Sequence, residues 1–354
     1  MPMNPLTVLV LGAGGNVSQG ILKALACSAL DCRVIGACIS ATAAGLYTAD
    51  AAYVSPGARS PDFLPWLLDV CAKEHVHAVL SGVEVVLDVL VENQSEIRAK
   101  TGAICVVDTA ESMAIGADKL RTCEWLRDQG FGYPMFAAAE DSSALAALLQ
   151  AKGFPLIAKP RIGKGSLGIV LLHDHAALER ASRLPGYVVQ EVLGDDRTEY
   201  TASCFSDRDD AVRGVIVLHR LLEHGTTVCA TAGLFPAVRE EARRIAAALR
   251  PRGPCNIQMR LHEGRPVCFE INVRFSGTTP MRARLGFNDV EAALRHYVRG
   301  EPAVDLPVVT SGQALRYWNE IYVAPAAVAG LAKDSHLANP GKFPVQLEDY
   351  GRRP

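Results

Sequence analysis

Asn256-Ile257-Gln258-Met259-Arg260-Leu261-His262-Glu263-Gly264-Arg265-Pro266-Val267-Cys268-Phe269-Glu270-Ile271-Asn272-Val273-Arg274-Phe275 reads as a β-hairpin with two unlike faces. Ile257, Met259, Leu261, Val267, Phe269, Ile271, Val273 and Phe275 are apolar, while Gln258, Arg260, Glu270, Asn272 and Arg274 are polar. Side chains alternate across a strand, so Glu270, Asn272 and Arg274 project from one side and the apolar set is expected to enter a core. Burying the odd residues of both strands requires an odd loop at Glu263-Gly264 or a bulge, because a two-residue turn alone reverses one strand's faces. Gln258 then joins Glu270 and Asn272, giving three oxygen-bearing side chains beside an arginine, with Glu270 the one negative charge among them. Hard Mg²⁺ suits such donors and fills its other positions with phosphate and water, so the face predicts a phosphate–metal platform. The plain alternative is a polar sheet face, which alternation also produces.

Upstream, Pro155 to Lys159 is a strand ending in lysine, and Gly163-Lys164-Gly165-Ser166-Leu167-Gly168 turns back into a second strand, Ile169 to Leu172. The order and context of a P-loop are missing, since no helix opens after the glycines. What the loop predicts is a flap whose N–H groups cover phosphates, with Lys159 and Lys164 supplying charge; a simple glycine turn is the alternative. Tyr187 to Val192 reads as a further strand, and Glu199 opens the next, where an acid can accept hydrogen bonds from ribose hydroxyls. Strands continue at Val212 to His219, with a helix at Arg239 to Arg250.

From Leu6 to about Asp108, short β-branched runs alternate with helical stretches, the βαβ signature of a parallel sheet. Gly12-Ala13-Gly14-Gly15 follows the first strand, but the third glycine of a dinucleotide fingerprint falls on Val17, and the second strand ends Cys38-Ile39-Ser40 without a ribose-holding acid. A turn that packs helix on sheet is therefore expected, and NAD binding is not. Glu84 follows a strand end, where open α/β sheets bind ligands; it reads as a solvated helix-start acid or a contact to a substrate amine. Arg282, Arg284 and Arg295 read as a solvated helix face, with a carboxylate pocket as the alternative. Residues 305–354, rich in Pro and Ala, carry one aromatic strand at Ala314 to Val323.

The chain has 354 residues, 49% hydrophobic and 21% charged, with a formal charge of -2. It is long enough for two or three packed units, and disorder is excluded. No global field gathers nucleic acid or anionic membrane, and none of its apolar stretches reaches the length of a membrane span. The ten cysteines form no C-x-x-C pair, so reduced thiols are expected. With no signal segment in evidence, a cytoplasmic protein is expected.

Taken in order, these features resemble the ATP-grasp superfamily, and in particular its carbamoyl-phosphate-synthase-like carboxylate–amine ligases. The resemblance covers Asp118 to Arg299 and is strongest at Gln258 with Glu270-Ile271-Asn272-Val273-Arg274, similar to the family's metal-binding Q and E-x-N-x-R; Val273 stands where relatives often carry proline. It implies an α/β fold class: an N-terminal Rossmann-like parallel unit (1–110), an ATP-grasp fold of two α+β subdomains clasping ATP (111–304, lid about 133–189), and a C-terminal extension (305–354). It implies that Lys119 and Lys159 bind ATP phosphates, that Gly163, Lys164, Gly165, Ser166 and Gly168 form the flap, and that Gln190, Glu191 and Val192 form the adenine hinge. Glu199 would take the ribose and His224 would lie near the phosphates. Gln258, Glu270 and Asn272 would hold Mg²⁺ or Mn²⁺, with Arg274 and Lys159 catalytic. The implied reaction activates a small carboxylate as an acyl phosphate for attack by an amine. Its partners would be those two small molecules, with no nucleic acid or membrane, and a homodimer is compatible. Bicarbonate or carbamate phosphorylation is the near alternative, although one ATP-grasp unit without a glutaminase-like nucleophile disfavours the complete synthase reaction. An NAD-dependent oxidoreductase or a nucleotide sensor are the alternatives from other classes.

Overall fold

The computed structural model describes residues 5–163, 165, 167–338 and 345–347, which form two compact units. The chain begins with β1 (Leu6–Leu11), buried at every residue, as a central parallel strand covered on both faces must be. There follow α1 (Asn16–Ala26), β2 (Cys32–Cys38), β3 (Ala51–Val54), α2 (Phe63–Lys73), β4 (Ala78–Ser81), α3 (Glu84–Thr101) and β5 (Ile104–Cys105). Next come α4 (Ala110–Ala117), α5 (Lys119–Asp128), β6 (Phe136–Ala138), α6 (Ser142–Lys152), β7 (Leu156–Pro160), β8 (Val170–Leu172), α7 (His175–Ser182) and β9 (Tyr187–Glu191). The chain continues through β10 (Glu199–Ser206), β11 (Val212–Glu223), β12 (Thr226–Gly233), α8 (Pro236–Leu249), β13 (Gly253–His262) and β14 (Arg265–Asn272). It closes with α9 (Thr279–Arg284), α10 (Asp289–Ala293), β15 (Ser311–Leu315), β16 (Ile321–Val323), α11 (Pro325–Asp334), β17 (His336–Ala338) and β18 (Val345–Leu347).

In the first unit the strands run β17-β3-β2-β1-β4-β5. All neighbours are parallel except β17, which pairs antiparallel with β3 and lays His336 on Tyr53 at 4.4 Å between ring centroids. Strand order reverses at β1, which lies between β2 and β4, and this leaves a crevice at the carboxyl ends of β1 and β4.

The second unit, Thr109–Val273 with Val308–Leu315, contains two antiparallel sheets. The smaller runs β6-β9-β7-β8, over a core of Leu145, Leu148, Leu156, Leu172 and Val189. The larger runs β14-β13-β10-β11-β12-β15 and packs on α8 through Val215, Val217, Ile245, Ile257, Met259 and Ile271.

Three expectations are revised. Residues 314–323 form two strands: β15 extends the larger sheet beside β12, while β16 pairs with β18. The β12 strand, Thr-Thr-Val-Cys-Ala-Thr-Ala-Gly, escapes sequence reading because its small and hydroxylated residues lack a strong apolar alternation. Finally, Arg274–Pro307 packs with the first unit rather than continuing the segment before it. The reason is close packing of α9 and α10 on α1. A carbon added at Gly20 would lie 2.9 Å from Pro280 Cδ, so only glycine admits this approach. Asn288 Nδ2 donates to Ala24 O at 2.9 Å, and Glu291 Oε2 accepts from Ser28 Oγ and Ala29 N, both at 2.9 Å.

The segment is locked by a buried ion pair. Arg282 Nη2 and Nε donate to Asp289 Oδ2 at 2.7 and 3.0 Å, both side chains being 0% exposed, and Arg282 Nη1 donates to Ser276 Oγ at 2.8 Å. Arg282 is therefore neither a solvated face nor a substrate pocket, and Arg295 pairs with Glu291 and Glu301. Asp289→Ala leaves a buried guanidinium without its counter-charge and should destabilise the fold by about 3–5 kcal/mol, read from the urea midpoint. A midpoint unchanged from wild type would contradict this account of the segment.

Candidate active site

A single extra residue in β14 builds the platform. The Glu263-Gly264 turn has two residues, with His262 opposite Arg265, so parity alone would send Glu270 into the core. Instead the register slips at Phe269: Met259 faces Cys268, and the next pair is Gln258 with Glu270. The expected bulge is thus present, and its position corrects the apolar assignment. Cys268 is the buried residue, while Phe269 and Val267 are only partly covered. Beyond the bulge, Gln258, Glu270 and Asn272 share one face as expected. Glu270 Oε1 accepts from Asn272 Nδ2 at 2.9 Å and from Gln258 Nε2 at 3.4 Å.

Phe269 becomes a floor for cations. Lys159 Nζ stands 5.3 Å from its ring centroid and the Arg260 guanidinium 5.9 Å away, within range of the ring's electron-rich face. Burial drives the Lys159 ammonium down to about 8; Glu270 pulls it upward, while Arg260 and Lys119 push it further down. Lys119 opens α5, and its Nζ donates to Gly163 O at 3.0 Å, tying the first helical turn to the flap. Asp118 caps that helix at Leu120 N and grips Arg161, with Nη2 to Oδ2 at 2.6 Å. The flap residues Gly163, Gly165 and Gly168 are exposed; Lys164 and Ser166 lie outside the described residues. His224 is exposed at the tip of the β11–β12 turn, which stands against the flap: a carbon on Gly225 would come within 2.6 Å of the Gly165 carbonyl.

Glu199 opens β10 as expected, and its carboxylate is already engaged by two arginines. Its Oε1 accepts from Arg220 Nη2 at 2.6 Å and Nε at 3.1 Å, and its Oε2 accepts from Arg260 Nη2 at 2.7 Å and Nε at 3.0 Å. A carboxylate offers about four acceptor positions, so these two arginines fill them and a ribose hydroxyl must displace one. Burial would raise this carboxyl, but the two guanidiniums outweigh it and hold it below the usual range. Arg220 Nη2 also donates to Gln258 Oε1 at 2.7 Å, which links this network to the platform. Sequence reading missed Arg220 and Arg260 as site residues. The signal was available in strand pairing, since Arg260 lies directly opposite Glu199 between β13 and β10.

The hinge residues carry structural bonds. Glu191 N donates to Met135 O, Glu191 Oε1 accepts from Met135 N at 2.7 Å, and Oε2 pairs with Lys152 at 2.6 Å. Gln190 is buried, donates to Cys123 Sγ at 3.0 Å, and its Oε1 has no partner among the described residues; Val192 is half-buried. Arg274 belongs to the first unit, where its Nη2 donates to Glu84 Oε1 at 2.6 Å. No group of three His, Cys, Asp or Glu side chains capable of holding a metal occurs among the described residues. Nor does any described helix have the length and apolarity to cross a membrane.

Comparison with known proteins agrees with this architecture. Residues 183–321 match the family model "ATP-grasp in the biosynthetic pathway with Ter operon", and residues 8–106 match "PylC-like, N-terminal domain". The chain is 25% identical over 308 residues to the carbamoyl phosphate synthase large chain of Methanothrix thermoacetophila, covering 79% of this chain but 28% of that protein. It thus spans little more than a quarter of the length of such relatives. Among solved structures, N5-carboxyaminoimidazole ribonucleotide synthetase from Thermus thermophilus superimposes with a TM-score of 0.65 at 20% identity, over 89% of this chain and 82% of that one. The biotin carboxylase domain of Hydrogenobacter thermophilus 2-oxoglutarate carboxylase, solved with MgADP, gives 0.66 at 15% identity, over 88% and 74%. The fold is that of an ATP-grasp protein behind a PylC-like N-terminal unit. In sequence, the chain is similar to an ATP-grasp family model over one segment, to a PylC-like model over another, and to carbamoyl phosphate synthase large chains over most of its own length.

The half-buried Lys159 predicts a pH dependence. In the nucleotide-free protein it loses its proton near pH 8, whereas phosphate oxygens favour the charged form. MgADP affinity measured by calorimetry should therefore be level below that pH and fall above it by up to roughly tenfold per unit, with proton uptake on binding. Lys159→Arg should flatten the profile. A fall that persists in this variant would assign the titration to another group.

Proposed function

We propose that this protein is an ATP-dependent, ADP-forming carboxylate–amine ligase that activates a small carboxylate as an acyl phosphate for capture by an amine. The observation that carries this reading is Glu270 gathering the Gln258 and Asn272 amides on one face, beside Lys159. One carboxylate with two side-chain amides beside it suits Mg²⁺ or Mn²⁺ once the amides, which now donate their N–H groups to Glu270, turn their oxygens to the ion; its other positions go to phosphate and water. Bound there by Glu270, Asn272 and Gln258, the ion would neutralise charge on the transferring phosphoryl group.

The protein's own groups address the difficulty of the first step, which brings two anions together. Lys119 and Lys159 offset charge on the nucleotide phosphates, and the flap N–H groups at Gly163, Gly165 and Gly168, with Lys164 and Ser166, cover them against water. Gln190, Glu191 and Val192 form the adenine hinge, and Glu199 takes the ribose once Arg220 or Arg260 swings aside. His224, at the turn facing the flap, contacts the phosphates, and Arg274 holds the γ-phosphate or acyl phosphate. The activated carbonyl then meets the amine directly; no protein nucleophile is needed.

A second reading is favoured by the carbamoyl phosphate synthase relatives: the activated carboxylate would be bicarbonate or carbamate. Both readings share the phosphoryl transfer, so one labelled experiment separates them from other chemistries. With ¹⁸O in the substrate carboxylate or bicarbonate, one label should appear in released inorganic phosphate; label in AMP would indicate adenylation and overturn the proposal. Glu270→Gln should lower MgATP-dependent ADP release by roughly 100-fold or more while melting with wild type, because it removes charge at constant size. Unaltered ADP release in that variant would make the platform a structural feature.

A further inference from the structure

Several arginines packed into the first unit are matched to acids. Arg274 pairs with Glu84, Arg282 with Asp289, Arg295 with Glu291 and Glu301, and Arg299 with Glu301. Arg316 differs: it is half-buried and has no carboxylate partner among the described residues. Its Nη1 donates to Asn16 Oδ1 at 2.8 Å and its Nη2 to Gly277 O, two neutral oxygens that orient the guanidinium without neutralising it. Taking a cation out of water without a counter-charge is costly, and an anion beside this guanidinium would offset that cost.

The place is the one where an open α/β sheet receives a ligand. Asn16 opens α1 immediately after the turn that follows β1, and β1 with β4 forms the pair at which strand order reverses. The crevice's own polar groups are otherwise internally matched: Ser18 Oγ donates to Leu11 O at 2.8 Å and accepts from Gly82 N at 3.0 Å, and Ser81 Oγ donates to Leu11 O. The first turn of α1 contains no acid, and no side chain caps it. The unmet demand at this end of the sheet is thus for negative charge. A guanidinium has five donors in a planar fork, two of them used here, and the remaining edge matches the two oxygens of a carboxylate.

We propose that Arg316, seconded by Asn16, anchors a carboxylate of the small-molecule substrate at the carboxyl ends of β1 and β4. This deepens the ligase reading, on which it rests for the identity of the bound molecule as a substrate. It makes Arg316 a specificity-determining residue outside the segment that carries the phosphoryl chemistry.

The test uses the full chain, labelled with ¹⁵N and titrated with acetate, glycine and inorganic phosphate, with and without saturating MgADP. Amide shifts of Asn16 and Gly277 should saturate with acetate and glycine. Arg316→Gln should weaken that response by about tenfold or more, and Arg316→Lys by less, since lysine keeps charge but loses the fork. MgADP affinity should be the same in all three proteins. Absence of saturable shifts, their persistence in Arg316→Gln, or tighter binding of phosphate than of acetate would each overturn the proposal. Failure of MgADP to bind wild type would strike the ligase reading instead, because the nucleotide-free titration still reports on Arg316.

Discussion

One inserted residue decides which side chains of β14 share a face with Gln258. A two-residue turn closes the β13–β14 hairpin, and in an unbroken ladder that turn would pair Gln258 with Phe269 and direct Glu270 inward. The slip at Phe269 reverses the parity for the rest of the strand. Glu270 and Asn272 emerge beside Gln258, Ile271 enters the core, and the displaced phenyl ring becomes a surface for Lys159 and Arg260. The shared polar face and the cation floor are two outcomes of the same irregularity.

Around that platform the charges are unevenly distributed. Lys119, Lys159, Arg220 and Arg260 converge on the region, whereas Glu199 and Glu270 are the acids engaged with them. A chain whose formal charge is -2 thereby holds a local excess of positive charge suited to a polyphosphate. The Arg220–Glu199–Arg260 cluster also acts as a frame: it connects β10, β11 and β13 and orients Gln258 through its carbonyl oxygen. Removing Glu199 would release two arginines as well as one acid.

Much of this was legible in the residues themselves. Alternation in Asn256 to Phe275 called for a bulge or an odd loop, and the short β-branched runs of the first hundred residues called for a parallel sheet. Parity does not say where a bulge falls, so Cys268 and Phe269 were exchanged between core and site. Pairing between strands distant in sequence was equally hidden, which is why Arg260 and Arg220 went unassigned although each lies across from Glu199 or beside it. The strand β12 lacked an apolar pattern, and the attachment of Arg274–Pro307 to the first unit depends on a glycine-to-proline approach that no local propensity reports. Local chemistry was readable; long-range adjacency was not.

The strand β15 gives the order of synthesis a structural meaning. The larger sheet of the second unit is complete only when Ser311–Leu315 joins β12, although every other strand of that sheet is made by Asn272. While the ribosome translates the intervening stretch, most of which belongs to the first unit, the outer edge of β12 stands with its N–H and C=O groups unpaired. A nascent chain in that condition is open to pairing with a neighbour on the same message, and the interval lasts seconds at ordinary elongation rates. Slow codons or a stalled ribosome between the two strands would lengthen that exposure, so translation tempo over this stretch bears on the yield of correctly assembled protein.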